Sequence, residues 1–305
     1  MITGGAGFVP SSLADRLLLD ENNFIVVIDN LLTGYKKNLS SPQNKNYHFI
    51  KCDANNYRDL SAVMLSYKFD YVFHYAAVVG VKRTLANPLM VLEDIKGIEN
   101  VLNLAKNTGV KRVFYSSSSE VYGEPVEFPQ NEHTTPLNSK LPYAIVKNIG
   151  EAFMKSFKLE HDLDYTIFRF FNTYGPKQSS DFVMSKFAKN ALNDKDITIY
   201  GDGSQTRTFC YIDDNLDATV KILNDNLEVN DVINLGSGIE TSILDLAKLI
   251  IETTNSKSKI VHLPALEEGD MTRRMPDNTK MKQILGRDLL PLKEGLNKVL
   301  VHFQK

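Results

Sequence analysis

The sequence predicts an α/β fold built on a doubly wound parallel sheet, and three observations predict it. Short apolar runs suited to buried strands, at 24–28, 47–52, 71–74 and 112–115, alternate with amphipathic helical patterns. A glycine-rich turn, Gly4-Gly-Ala-Gly7, lies between the first strand and the first helical run. An acid, Asp29, ends the second strand. In sheets of this kind ligands bind at the carboxyl ends of the strands.

Taken in order, the chain opens on Met1-Ile-Thr3, a strand of at most three residues, and passes through the glycines into a helical run at 11–19. The glycines let backbone N–H groups approach a pyrophosphate at a helix N-terminus, and the acid binds ribose hydroxyls. The charge of Asp29 repels a 2′-phosphate, which favours NAD over NADP. Pro10 stands where the dinucleotide fingerprint has its third glycine. Proline is tolerated in a first helical turn, where its missing N–H has no partner in any case, but it is bulkier than glycine where helix and strand pack. The strand at 47–52 leads into Asp53, and that at 71–74 into Tyr75-Ala-Ala77, small residues that permit close approach of a cofactor. A helical pattern over 88–108 closes at Gly109, and the strand at 112–115 runs into the serines 116–119.

Pro142-Tyr-Ala-Ile-Val-Lys147 places Tyr143 and Lys147 four residues apart, on one face of a helix. A tyrosine is a poor base at neutral pH, and a nearby ammonium favours its phenolate. The pair therefore suits removal of a hydroxyl proton while hydride leaves the adjacent carbon. After residue 170 the strand–helix rhythm breaks without a linker, and Thr206-Arg-Thr-Phe-Cys-Tyr211 reads as a strand. We expect residues 1–170 to form a cofactor-binding domain carrying the reactive groups, and 171–305 a smaller substrate region partly interwoven with it.

Composition narrows the classes. The chain has 305 residues, 43% of them hydrophobic, and a net charge of −2. It lacks the basic field that nucleic acid or a membrane surface requires. Cys52 and Cys210 lie far apart in strand-like segments and read as buried hydrophobes, which fits a reducing cytoplasm. The six histidines are scattered without metal-ligand spacing, so no metal is expected. There is neither a signal-peptide pattern nor an apolar run long enough to span a bilayer.

Together the motifs resemble the extended short-chain dehydrogenase/reductase family, the NAD-dependent nucleotide-sugar epimerases and dehydratases. They are Thr3-Gly-Gly-Ala-Gly-Phe8, Asp29-Asn-Leu-Leu-Thr-Gly34, His74-Tyr-Ala-Ala77, Ser116-Ser-Ser-Ser-Glu-Val-Tyr-Gly123, the Tyr143 segment, Arg169-Phe-Phe-Asn-Thr-Tyr-Gly-Pro176 and Gly201-Asp-Gly-Ser-Gln-Thr-Arg207. The resemblance covers nearly the whole chain and implies a Rossmann-type sheet. It implies Tyr143 as base, Lys147 lowering its pKa and binding the nicotinamide ribose, and Ser118 bonding the reacting hydroxyl. Gly4, Gly7, Phe8 and Val9 are implied at the pyrophosphate, Asp29 and Asn30 at the adenosine ribose, Asp53 and Ala54 at the adenine, and Ala76 near the nicotinamide. For the substrate it implies Asn172, Arg207 and, of the pair Arg273 and Arg274, the latter as a clamp on the diphosphate. Asp94 stands where the family usually has Asn and receives no role.

Glu120 complicates the choice of reaction. Simple 4-epimerases of this family usually have a non-acidic residue there, whereas members that abstract a proton or decarboxylate often carry Glu, a potential acid/base group beside a keto-sugar. Ser119 replaces the Asp that dehydratases place beside that Glu, which argues against a 4,6-dehydratase. The favoured expectation is a UDP-sugar 4-epimerase, with UDP-glucuronate decarboxylase as the alternative enzyme and a non-catalytic NAD-binding protein as an alternative of another class. The resemblance also implies a homodimer through helices near 88–108 and 143–161.

Overall fold

Strand and helix alternate through the first half of the computed structural model, which describes residues 1–264 and 273–304. In order come β1 (Ile2–Thr3), α1 (Phe8–Leu17), β2 (Ile25–Asp29), β3 (Tyr47–Lys51), α2 (Tyr57–Ser66), β4 (Tyr71–His74), α3 (Val81–Ala86), α4 (Pro88–Leu92), α5 (Asp94–Thr108), β5 (Arg112–Ser118) and α6 (Pro142–His161). The chain continues through β6 (Asp164–Phe170), β7 (Thr173–Tyr174), α7 (Val183–Leu192), β8 (Ile197–Tyr200), β9 (Thr206–Thr208), β10 (Cys210–Tyr211) and α8 (Ile212–Asn224). It closes with β11 (Asp231–Leu235), β12 (Glu240–Ser242), α9 (Ile243–Thr254), β13 (Ile260–Leu263), α10 (Thr279–Leu285) and α11 (Leu292–Phe303).

Seven strands form the main sheet in the order β11-β6-β5-β4-β1-β2-β3. The pairs from β3 across to β5 run parallel, with Ile2 beside both Val27 and Phe73. The order reverses between β1 and β4, which is the doubly wound topology the sequence predicts, and it opens a crevice at their carboxyl ends. Strand periodicity divides the side chains between the faces. Val26, Val72, Val113 and Ile167 join Leu60 and Met64 of α2, Val101 and Ala105 of α5, and Val146 and Met154 of α6 in one apolar cluster. The alternate residues Phe73, Phe114 and Phe168 stack across β4, β5 and β6, with centroids 4.4 and 5.9 Å apart.

The chain divides into two compact units. One comprises Met1–Gly123, Leu137–Arg169 and Thr219–Ile233; the other comprises Glu124–Pro136, Phe170–Ala218 and Asn234–Lys305. The second contains the short ladders β10 with β7, β12 with β9, and β13 with β8.

Two sequence expectations change in detail. The helical pattern at 88–108 divides at Glu93, where the Lys96 N–H donates to the Glu93 carbonyl at 3.0 Å in a tighter, three-residue turn. The run at 206–211 is two strands rather than one. Its first part pairs antiparallel with β12 and its second parallel with β7, so no single ladder continues through Phe209.

Helix α6 is the element that positions the Tyr143 segment. Pro142 starts it with a preset φ, and Asp162 ends it in the left-handed conformation at φ 53°. Glu151, two turns after Tyr143, is 2% exposed and ion-pairs with Arg169 of β6, 1% exposed. Arg169 Nε and Nη2 donate to the two carboxylate oxygens at 2.9 and 2.7 Å, Ser117 Oγ donates to Oε1 at 2.6 Å, and Arg169 Nη1 donates to the Tyr122 hydroxyl at 2.9 Å. The helix is thereby bonded to β5, to β6 and to the turn at Ser119–Tyr122. Gly150 allows close contact of the same helix with β5, because a Cβ there would lie 2.1 Å from the Tyr115 hydroxyl.

Glu151→Ala strands the buried Arg169 charge and should cost about 3–5 kcal/mol in urea unfolding, part of which returns when Arg169→Met is added. Gly150→Ala should lower stability by roughly 1–3 kcal/mol, opposite in sign to the gain that helix propensity alone gives, as read from the thermal midpoint.

Candidate functional site

The glycine turn after β1 is shaped by Thr3 and Gly4. Thr3 Oγ1 accepts the N–H groups of Tyr75 and Ala76 at 3.0 and 2.9 Å and lies 3.0 Å from His74 Nδ1. With both lone pairs engaged by amides, the hydroxyl proton goes to Nδ1, which requires a neutral His74 carrying its own proton on Nε2. Burial, with the Lys147 charge second, pulls the His74 pKa down to about 3, consistent with that form. Gly4 has φ +70° and sits so close to the loop after β4 that a Cβ would lie 2.9 Å from the Ala76 Cα. Gly7 caps α1 with no side chain, and its own N–H is spent on the Gly4 carbonyl at 2.8 Å. The N–H groups of Phe8 and Val9, in the first turn, have no intrahelical acceptors. Pro10, third in the helix and buried, has no N–H at a position where one has no helical partner.

The acids cluster at the ends of β2 and β3. Asp29, 8% exposed, accepts the Ala6 N–H at 3.0 Å and the Leu31 N–H at 2.6 Å, which ties the end of β2 to the glycine turn. Asn30 is exposed, and its Nδ2 donates to Asp53 Oδ2 at 3.0 Å. Asp53 Oδ1 accepts the Asn55 N–H at 2.9 Å, and the carbonyl of the buried Ala54 accepts Asn100 Nδ2 at 3.0 Å. The structure thus joins Gly4 to Ala76, Asp29 to the glycine turn and Asn30 to Asp53.

Strand β5 deals its serines alternately. Lys147 Nζ donates to the Ser116 carbonyl at 2.6 Å and approaches Ser116 Oγ at 3.3 Å, while Ser117 turns inward to Glu151. Ser118, half-buried, ends the strand, and its Oγ accepts the Glu120 N–H at 3.2 Å. Glu120 lies in the following turn with its carbonyl accepting the Gly123 N–H at 3.1 Å. Lys147 is 3% exposed, with its Nζ 5.0 Å from the Tyr115 ring centroid and 5.7 Å from that of Tyr143, itself half-buried. Burial lowers the Lys147 pKa to about 8, opposed by the charges of Asp94 and Glu151. Tyr143 and Lys147 share one helix face, and Ser116 and Ser117 bond the same helix through Lys147 and Glu151.

The candidate substrate residues Asn172, Arg207 and Arg274 lie in the second unit. Asn172 has φ +35°, and its buried Nδ2 donates to nothing among the described residues. A buried amide donor without an acceptor is costly unless a ligand or water supplies one. Its carbonyl accepts the Cys210 N–H at 3.3 Å, which links it to the segment carrying Arg207. Arg207, 8% exposed, donates from Nη1 to the Thr206 carbonyl at 2.7 Å. Arg273 and Arg274 differ. Arg273 forms a two-pronged pair with Glu240, at 2.7 Å for each bond, and lies over the Phe128 ring, whereas Arg274 is buried. The segment 265–272 before them lies outside the described residues.

Sequence reasoning gave no role to Glu151, Arg169 or Thr3. The signal for Glu151 was available: Tyr143, Lys147 and Glu151 recur every four residues on one helix face. Among the described residues, no group of three or more His, Cys, Asp or Glu could hold a metal ion. No described helix is long and apolar enough to cross a membrane.

Comparison with known proteins bears on this arrangement. The family model described as the NAD dependent epimerase/dehydratase family matches residues 1–236. UDP-glucuronic acid decarboxylase 1 of Danio rerio is 35% identical over an alignment covering 100% of this chain and 72% of the relative. UDP-glucose 4-epimerase of Mycolicibacterium smegmatis is 33% identical, covering 100% of this chain and 98% of the relative. Among solved structures, the UDP-glucose 4-epimerase of Thermotoga maritima with UDP-glucose superposes with a TM-score of 0.92 at 31% identity, over 99% of this chain and 97% of the other. The family model and the relatives that span this chain agree, and the chain belongs to the NAD-dependent epimerase/dehydratase family.

Proposed function

We propose that this chain is a UDP-sugar 4-epimerase that works through a 4-keto intermediate. The observation that carries the reading is Tyr143 and Lys147 on one face of α6, with Lys147 fixed on Ser116. NAD fits the first unit: the Gly4–Ala76 cradle that a Cβ would fill, the first-turn amides of Phe8 and Val9, the Asp29 carboxylate, and Asn30, Asp53 and Ala54 beside it. Bound there, NAD would supply a reversible acceptor for the hydride of carbon 4. Tyr143 takes the proton of the 4-hydroxyl and Ser118 bonds the same oxygen. The Lys147 ammonium favours the tyrosine phenolate and would hold the nicotinamide ribose. Asn172, Arg207 and Arg274 hold the diphosphate, a task to which guanidinium forks and an unpaired amide donor are suited.

A second reading rests on two observations. The relative from Danio rerio named as a UDP-glucuronic acid decarboxylase matches this chain from end to end. Glu120 also directly follows the serine run, in the turn that Ser118 caps. In that reaction the 4-ketone accepts the electron pair released as the sugar carboxylate leaves as carbon dioxide, and Glu120 handles the proton.

The reading extends to assembly and location. Leu89, 78% exposed on α4, and Ile145 and Leu159, 37% and 86% exposed on α6, support a homodimer through these helices. Both cysteines are buried and unpaired, which suits a reducing cytoplasm.

Product analysis by NMR over a panel of UDP-sugars with NAD tests the assignment. Inversion at carbon 4 supports the epimerase; carbon dioxide from UDP-glucuronate replaces it with the decarboxylase, and neither product sinks both. Tyr143→Phe should lower kcat by about 10²–10⁴-fold while NAD binding persists. Arg207→Ala should raise KM for the UDP-sugar by about 10–100-fold, as expected for loss of a charge-assisted bond.

A further inference from the structure

Four stretches of the second unit, remote in sequence, meet at the Glu240 carboxylate and the guanidinium it holds. Strand β12 pairs antiparallel with β9, with Glu240 opposite Thr208, Thr241 opposite Arg207 and Ser242 opposite Thr206. Residues facing one another across such a ladder share a side of it, and neighbours along a strand alternate. Glu240 therefore stands on the side of Thr206 and Thr208, and Arg207 between them belongs to the other side. Glu240 Oε1 accepts the Thr206 hydroxyl at 2.8 Å. The same oxygen accepts Arg273 Nε, and Oε2 accepts Arg273 Nη2, each at 2.7 Å. The guanidinium lies 4.1 Å from the centroid of the Phe128 ring.

An ion pair in contact with water contributes little when two long side chains must be ordered to form it. This pair uses both prongs of the fork, stacks the guanidinium on a ring, and has a carboxylate only 21% exposed. The Arg273 guanidinium holds the Glu240 carboxyl below the usual range, with burial opposing and the Thr206 hydroxyl adding, so Glu240 is an anion at neutral pH. Its two bonded neighbours each precede an arginine: Thr206 comes before Arg207, and Arg273 before Arg274. Both following arginines are 8% exposed.

We propose that Glu240 is a positioning residue for the substrate diphosphate, holding Arg207 and Arg274 in place through the residue just before each. This rests on the reading of those arginines as a diphosphate clamp. Two-pronged bonds to phosphate oxygens need each guanidinium plane aimed in advance, and a side chain that must be ordered on binding costs affinity. Adjacent arginines thus divide the work: Arg273 holds the chain and Arg274 meets the ligand.

The test uses the full-length protein with NAD, and the probe is UDP, followed by isothermal titration. Glu240→Ala/Arg273→Ala removes one charge of each sign, so the net charge is kept and a change in affinity reports placement rather than field. UDP affinity should fall by about 3–10-fold, the cost of ordering one or two side chains on binding, with NAD affinity unchanged. KM for the UDP-sugar should rise by a similar factor while kcat stays within about two-fold, the pattern of lost ground-state binding. Arg273→Lys keeps the charge but loses the planar fork, and should show a smaller loss in the same direction. UDP affinity unmoved in the double variant, even with a lower thermal midpoint, overturns the proposal when Arg207→Ala still weakens UDP. A fall in kcat without a rise in KM also overturns it. If the double variant does not fold, Arg273→Lys decides: UDP affinity equal to that of the wild type overturns the proposal. Where Arg207→Ala leaves UDP affinity unmoved as well, the clamp itself fails and the proposal falls with it.

Discussion

The buried pair between Glu151 and Arg169 is the constraint on which the candidate site depends. Two charges that are 2% and 1% exposed are tolerable only together, because either alone faces a large desolvation cost. Their bonds reach a helix, two strands and a turn, so the four move as one body. Lys147 and Tyr143, one and two turns up the same helix face, inherit that rigidity. Gly150 brings the helix close enough to Tyr115 for Lys147 to lie over its ring.

The same pair has an electrostatic by-product. Glu151 spends both oxygens on Arg169 and makes no hydrogen bond to Lys147, although the two stand one turn apart on α6. The lysine is left on a carbonyl, in a place where burial drives its pKa down to about 8 against the opposing charges of Asp94 and Glu151. Polar groups throughout the molecule divide in this way between committed and available. Arg273 is committed to Glu240 and Phe128; the Asn172 amide nitrogen has no acceptor among the described residues.

Much of the fold was legible because its signals are local. Apolar runs of strand length, a glycine turn, Asp29 and the Gly109 helix stop each follow from a few adjacent residues, and the doubly wound sheet follows from their alternation. The pairing of 206–211 was not legible. Which partner a short strand chooses depends on β7 and β12, both remote in sequence. The split at Glu93 was hidden because both halves continue the same helical periodicity. In the site, the helix spacing made Tyr143 and Lys147 visible, whereas the linkage of Thr3 to His74 spans 71 residues and that of Ser117 to Glu151 spans 34. Asp94 attracted notice only as a departure from the family pattern, and its bond to Val78 is a tertiary fact.

The anchoring of Lys147 on the main chain has a consequence for mutational drift. A backbone carbonyl is offered by every amino acid, so the shorter of the two Lys147–Ser116 bonds survives any side chain at position 116 that fits the space. Ser117 has no such freedom, because its hydroxyl is the group that Glu151 accepts from. Two neighbouring serines, chemically identical and adjacent on one strand, therefore differ in how far selection can let them wander: the first can vary at small cost to the lysine, and the second is held by the ion pair beneath it.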